Sequence, residues 1–284
     1  MIMHSNAMPT TQAPILTDFS AAALAAALDS NAQAFFAALA ATPDAIHDHT
    51  QRYHRWINPG ILSPMFNGVI GVNLAASAVD DFIQETKEYF KSNRVPLSFW
   101  WVTPGSQPAD LGSRFAAHGM IPYEVAAPGM AVDLNHLAVE LPTPDGFQIA
   151  TVNDEESLQV WARTFVETFE APEFAGQAWV QASQRIGLDR LPWRLYIGWL
   201  ADKPVGISLS FCGGGAASLW ALGVKPTMRR SGIGAALTIR PMLDAARLGY
   251  RIGVLFATEL GVPLYERLGY RTYCTVSRYL WRDE

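Results

Sequence analysis

Apolar and polar positions along the chain change period several times, and each change marks an element. Residues 21–41 form an alanine-rich run that predicts a helix, and Asp29, Asn31 and Gln33 inside it unfit it as a membrane span. Between Phe66 and Leu134 the pattern predicts a strand over 67–72, an amphipathic helix over 79–93 and a strand over 97–102. A helix over 111–118, capped by Gly119, and a strand over 129–134 complete that stretch. Trp100 and Trp101 are adjacent on a strand and so face opposite sides, one toward its own core and one toward the neighbouring domain. Residues 141–146 carry two prolines and a glycine in a polar run, which divides the chain into 1–141 and 142–284. Beyond it come a strand over 147–152, a helix opened by Asp154, Glu155 and Glu156 that runs to Phe169, and a helix over 173–185. A hairpin over 195–201 and 204–211 then leads through Gly213, Gly214 and Gly215 into a buried strand over 216–221. Ile233, Leu237 and Leu243 share a helix face; a strand over 252–257, a short helix ended by Gly269 and a strand over 270–281 follow. The order β-α-α-β-β-β-α-β-α-β predicts a mixed α/β (α+β) fold.

Composition narrows the classes. The 284 residues suggest two domains, and with half of them hydrophobic and 17% charged they can fill packed cores. A net charge of −5 argues against nucleic acid as partner. Cys212 and Cys274 are too few for a disulfide framework, and no Lys or Arg precedes Arg52, so a cytoplasmic, reducing setting is expected, with no secretory leader and no membrane. Residues 1–7 precede a second methionine, Met8, and are left out of the fold reasoning. All six histidines lie before residue 137, but His47 and His49 are two apart without a third ligand at metal-site spacing; no metal is expected.

The chemistry concentrates in residues 222–236. Pro226 ends the preceding strand, Arg229 and Arg230 bring positive charge, and Gly232 and Gly234 open a helix. First-turn amides of a helix lack partners inside it and attract anions, and a residue without a β-carbon lets a phosphate approach the backbone. A P-loop is excluded because no Lys-Ser or Lys-Thr follows a glycine, and a dinucleotide fingerprint because position 237 is leucine. What remains, Arg229-x-x-Gly232-x-Gly234 behind a strand end, resembles the pyrophosphate loop of the GCN5-related N-acetyltransferases (GNAT superfamily). About thirty residues on, Leu264-Tyr265-Glu266-Arg267-Leu268-Gly269-Tyr270 resembles the Leu-Tyr-x-x-x-Gly-Phe segment of the same superfamily. The resemblance covers residues 143–284.

It implies an acyl-CoA N-acyltransferase fold, with acetyl-CoA as co-substrate and a small-molecule or peptide amine as acceptor. Leu222, Gly223 and Val224 would pair with the pantetheine arm, the Val224 amide would face the thioester oxygen, and Arg229, Arg230, Ser231, Gly232, Ile233, Gly234 and Ala235 would take the diphosphate. A β-carbon at Gly232 or Gly234 is expected to occupy the space of a phosphate oxygen while leaving the fold intact. Tyr265 would protonate the leaving thiolate. Glu259, at the end of the preceding strand, is the acid nearest in sequence to the helix that carries Tyr265, and the candidate base. Thr258 stands where many relatives carry asparagine, and Pro241 should kink the helix that follows the loop. Setting Gly119 beside Gly269 puts Phe115 at the place of Tyr265, and residues 73–77 lack both arginines and glycine pair. The N-terminal half therefore reads as a degenerate copy that binds no cofactor, in tandem with the C-terminal half. The alternative to an enzyme is a non-catalytic acyl-CoA binding or sensing protein; a homodimer is compatible with either.

Overall fold

The computed structural model describes residues 13–138 and 142–283. Val139, Glu140 and Leu141, the last of them the first residue of the boundary run 141–146, lie outside the described residues, as do residues 1–12 and Glu284. In chain order the elements are α1 (Ala21–Leu39), β1 (Ile46–His49), β2 (His54–Ile57), β3 (Gly68–Ile70), α2 (Val79–Ser92), β4 (Leu97–Val102), α3 (Leu111–Ala117) and β5 (Ile121–Asp133). There follow β6 (Gln148–Thr151), α4 (Glu155–Phe169), α5 (Glu173–Ile186), β7 (Trp193–Leu200), β8 (Lys203–Gly213), β9 (Ala216–Val224), α6 (Ile233–Arg247), β10 (Ile252–Phe256), α7 (Val262–Arg267) and β11 (Arg271–Arg282).

Local chemistry explains the ends of several elements. Asp154 caps α4 by accepting from the Ser157 amide at 2.8 Å, and Ser157 returns a bond to the Asp154 amide. Ala201 and Asp202 both take positive φ, the two-residue turn that suits the twist of the β7–β8 hairpin. Gly269, at φ 99°, ends α7 in a conformation a side chain would strain, and Gly119, at φ 82°, ends α3 the same way. Helix α6 continues through Pro241, which lies in its interior.

The strands form one 11-stranded sheet in the order β1-β2-β3-β4-β11-β5-β10-β9-β8-β7-β6. Each half builds a parallel pair joined by a helix: β3 with β4 through α2, and β9 with β10 through α6. The last strand of each half then pairs in the other half. β11 lies antiparallel on β4, and β5 lies antiparallel on β10, while β5 and β11 pair with each other at the centre. The halves are thus topological copies that have exchanged their final strands, and the sheet is continuous across the boundary the sequence suggested.

Helices cover both faces. Trp101 packs with Phe36 of α1 on the face that also carries α4 and α5, whereas Trp100 packs with Phe90 and Phe115 under α2 and α3. Helix α1 is long and apolar enough to cross a membrane by length and composition. Here Ala27, Leu28, Ala32, Phe35, Phe36 and Leu39 are buried against the sheet, and Asn31 donates to the carbonyls of Gly213 and Ala216. It is the central helix of the shared core.

Candidate active site

The site begins with a defect in β9. Ile207 pairs with Gly223 but Leu209 pairs with Trp220, so two residues of β9 face one of β8, and Ala221 in this bulge takes φ 50°. On its other side β9 meets β10 only at Ala217 and Ser218; beyond them the strands part. Lys225 donates to the Val205 carbonyl at 2.9 Å, which makes 205/225 a hydrogen-bonded pair and the adjacent Gly206/Val224 pair a non-hydrogen-bonded one. The Val224 amide and carbonyl therefore point away from β8, into the gap. The carbonyl there accepts from Arg229 Nε at 3.2 Å.

Past Pro226 the loop turns into α6. Arg230 takes φ 64°, and Gly232 is the N-cap at φ 87°. The first helical bond runs from the Ala236 amide to the Gly232 carbonyl, which leaves the amides of Ile233, Gly234 and Ala235 at the open first turn. No side chain caps them, and the Ser231 hydroxyl donates instead to the Met228 carbonyl at 2.6 Å. The two glycines differ. A β-carbon on Gly232 would lie 1.9 Å from the Pro142 carbonyl oxygen, so bulk there disturbs the fold itself, contrary to the sequence expectation. A β-carbon on Gly234 would meet only Leu264 and Val224 side chains at 3.4 and 3.6 Å, ordinary contact.

The gap and the loop open into one cleft of about 1860 Å³. Tyr265 reaches it from α7, buried, with its ring 5.8 Å from that of Tyr270 and burial raising its pKa, so the phenol stays protonated. Leu222, Gly223, Val224, Arg229, Arg230, Ser231, Gly232, Gly234 and Ala235 line the same cleft, while Ile233 is buried in the core beneath. Arg229 also donates to the Thr168 carbonyl at 3.4 Å, so part of its hydrogen bonding is spent joining the loop to α4. Glu259 is exposed in the turn after β10 and does not line the cleft. Of the acids crowding the α4–α5 junction, Glu167 pairs with Lys225 at 2.6 Å and Glu170 lines the cleft.

Residues 145–256 match the model of the acetyltransferase (GNAT) domain. That stretch of the C-terminal half is GNAT-like. No curated protein matches the chain in sequence. Among solved structures, a GCN5-related N-acetyltransferase from Kribbella flavida is similar over 95% of this chain and 98% of its own, at TM-score 0.67 and 15% identity. One from Sphaerobacter thermophilus covers 92% and 93% at TM-score 0.57 and 17% identity. A tandem GNAT protein from the clavulanic acid biosynthesis pathway covers 85% and 84% at TM-score 0.53 and 13% identity. At these identities the likeness is one of fold.

The N-terminal half keeps the GNAT topology without the anion site. Its helix α2 starts at an Ala78 cap with Asp80 and Asp81 in the first turn, a charge that repels phosphate, whereas α6 has no acid there. Phe115, the counterpart of Tyr265, is sealed against Trp100 and Tyr279.

The sequence did not reveal what the N-terminal half adds to the cleft. Phe99 and Trp101 of β4 and Tyr123 and Glu124 of β5 line it together with Arg278 of β11. Arg278 donates to Glu124 at 3.1 Å, and its guanidinium lies 4.6, 4.7 and 5.0 Å from the rings of Phe99, Tyr123 and Trp101. Burial lowers its pKa, with the Glu124 carboxylate opposing.

Proposed function

We propose that the protein transfers an acetyl group from acetyl-CoA to an amine by direct attack. One observation carries the reading: the free Val224 amide, the uncapped first turn of α6 and Tyr265 all line a single cleft between parted strands. Three amides and Arg230 at the loop suit a diphosphate. The pantetheine arm would add to the edge of β9 that β10 leaves unpaired.

In the reaction the amine nitrogen bonds to the thioester carbon, and negative charge moves to the carbonyl oxygen. The Val224 amide would stabilise that oxyanion, a contribution that grows only as the charge develops. Collapse breaks the carbon–sulfur bond, and Tyr265 would give its proton to the departing thiolate. Burial raises the phenol's pKa, but it destabilises a thiolate in the same cleft as well, so the proton still has reason to move.

The amine must first lose a proton: a lysine-like amine is neutral at pH 7 in about one molecule in 2,500, a cost of roughly 4.6 kcal/mol. Glu259, set in an exposed turn, would have to take it through water.

A melting-temperature series with CoA, with thiol release from acetyl-CoA across a panel of amines, tests this function. Ligand at 100 times its Kd should add about 2.7 kcal/mol of stability. Absence of both a CoA-dependent shift and thiol release would overturn the reading. A shift without thiol release would leave the binding or sensing alternative.

A further inference from the structure

We infer that Arg278 receives a carboxylate on the acceptor, so that the amine acetylated here is an amino acid in the broad sense: an amine at one end, an apolar or aromatic body, and a carboxylate. This rests on the acyl-transfer reading above and deepens it.

Arg278 stands in the cleft with most of its donors unused. Nη2 donates to Glu124, but Nε is buried without a partner, and no acceptor among the described residues takes Nη1. Arg55, elsewhere in the molecule, shows what a structural arginine looks like in this protein. It too stacks on aromatic rings, yet Nη1 donates to Glu85 at 3.2 Å and Thr86 at 3.3 Å while Nη2 pairs with Asp48 at 3.2 Å. Its Nε also lacks a partner, so the difference lies in the fork: both ends of it are occupied in Arg55, which does not line the cleft. A guanidinium held among Phe99, Trp101 and Tyr123 has given up much of its water. One carboxylate bond compensates that loss incompletely, and a planar anion that engages two N–H groups at once is the partner its fork is shaped for.

Glu124 fits the same role. It lies across from Arg278 in the β5–β11 pairing and fixes the orientation of the fork from one side. The walls agree with an apolar body between the two polar ends. Trp101 lies 6.4 Å from Trp220, and Trp220 sits on β9 just before the bulge that turns the Val224 amide into the gap. An acceptor spanning from Arg278 toward Val224 would pass along these rings. A purely cationic amine would instead meet the guanidinium as a like charge.

The test uses matched amines that differ by one carboxylate: aromatic α-amino acids against their decarboxylated amines, and ω-amino acids of rising chain length against n-alkylamines. Acetylation by the full-length protein should favour the acid in at least one pair by about 10- to 100-fold in kcat/KM, the range of a charge-assisted bond. Arg278→Lys, which keeps the charge and loses the fork, should erase most of that preference. Arg278→Gln combined with Glu124→Gln should do the same without leaving a lone buried charge. Both variants should keep the parent's CoA affinity by calorimetry, because Arg278 lies outside the diphosphate loop. The inference is overturned if decarboxylated amines are equal or better throughout, if both variants retain the preference, or if no pair member is acetylated while other amines are. A parent that binds no CoA and releases no thiol would fail on the acyl-transfer reading, and this inference would fall with it.

Discussion

Tyr265 is the residue on which an enzyme and a binding protein differ most. Its hydroxyl makes no hydrogen bond to the described residues, and its ring lies against Gly261 and Tyr270. Tyr265→Phe therefore removes a proton donor and leaves packing intact. Turnover should fall by about 10²- to 10⁴-fold with acetyl-CoA affinity nearly unchanged, measured by steady-state kinetics beside calorimetry. His54 gives a separate prediction. It is 1% exposed, and burial pushes its pKa down to about 3, so the fold keeps it neutral while the unfolded chain protonates it below about 6.5. Its contribution is complete above that value and is lost as pH falls toward 3, at about 1.4 kcal/mol per unit. Urea unfolding at pH 7 and pH 5 should show the parent losing about 2 kcal/mol more than His54→Asn. Tyr265 was legible in sequence because a glycine cap four residues later marks its helix end; Arg278 was not, because its aromatic surroundings come from strands that lie far away in sequence.

Among the elements, α6 was readable and the β9 bulge was not. Gly232 and Gly234 announce the helix start, but residues 216–221 read as one buried strand, and no glycine stands at 221 to signal the left-handed turn there. Strand β5 was foreseen only from residue 129, because Pro122 and Pro128 lie in the half before it and argue against a central strand. That missed half carries Glu124. The loop offers a clean test through Gly234→Asp, whose β-carbon has room and whose charge suits the first turn of a helix. Thermal unfolding should be unchanged or slightly higher, while calorimetry should show CoA affinity down by at least about tenfold, since a carboxylate would face the diphosphate. Gly232→Ala should lower the melting temperature as well, because Pro142 stands in its way.

For the whole molecule, the repeat was visible and the exchange was not. Alternation specifies that residues 271–282 form a strand, and the same pattern would serve beside β10 or beside β4; only the assembled sheet decides between them. One half keeps an anion site and the other opens its matching helix with Asp80 and Asp81. Titration of the full chain should thus give one CoA per polypeptide, and a value of two would contradict the degenerate copy. The exchange also has a consequence in time. The chain leaves the ribosome from its N-terminus, and β4, paired with β3 on one side, cannot gain its second neighbour until β11 has emerged. The first half of the protein waits, with an open sheet edge, until residues 271–282 have been made. Such long-range closure is slow, and an open edge invites pairing with another chain. A nascent chain stalled before residue 271 would be the form most exposed to chaperones and to aggregation.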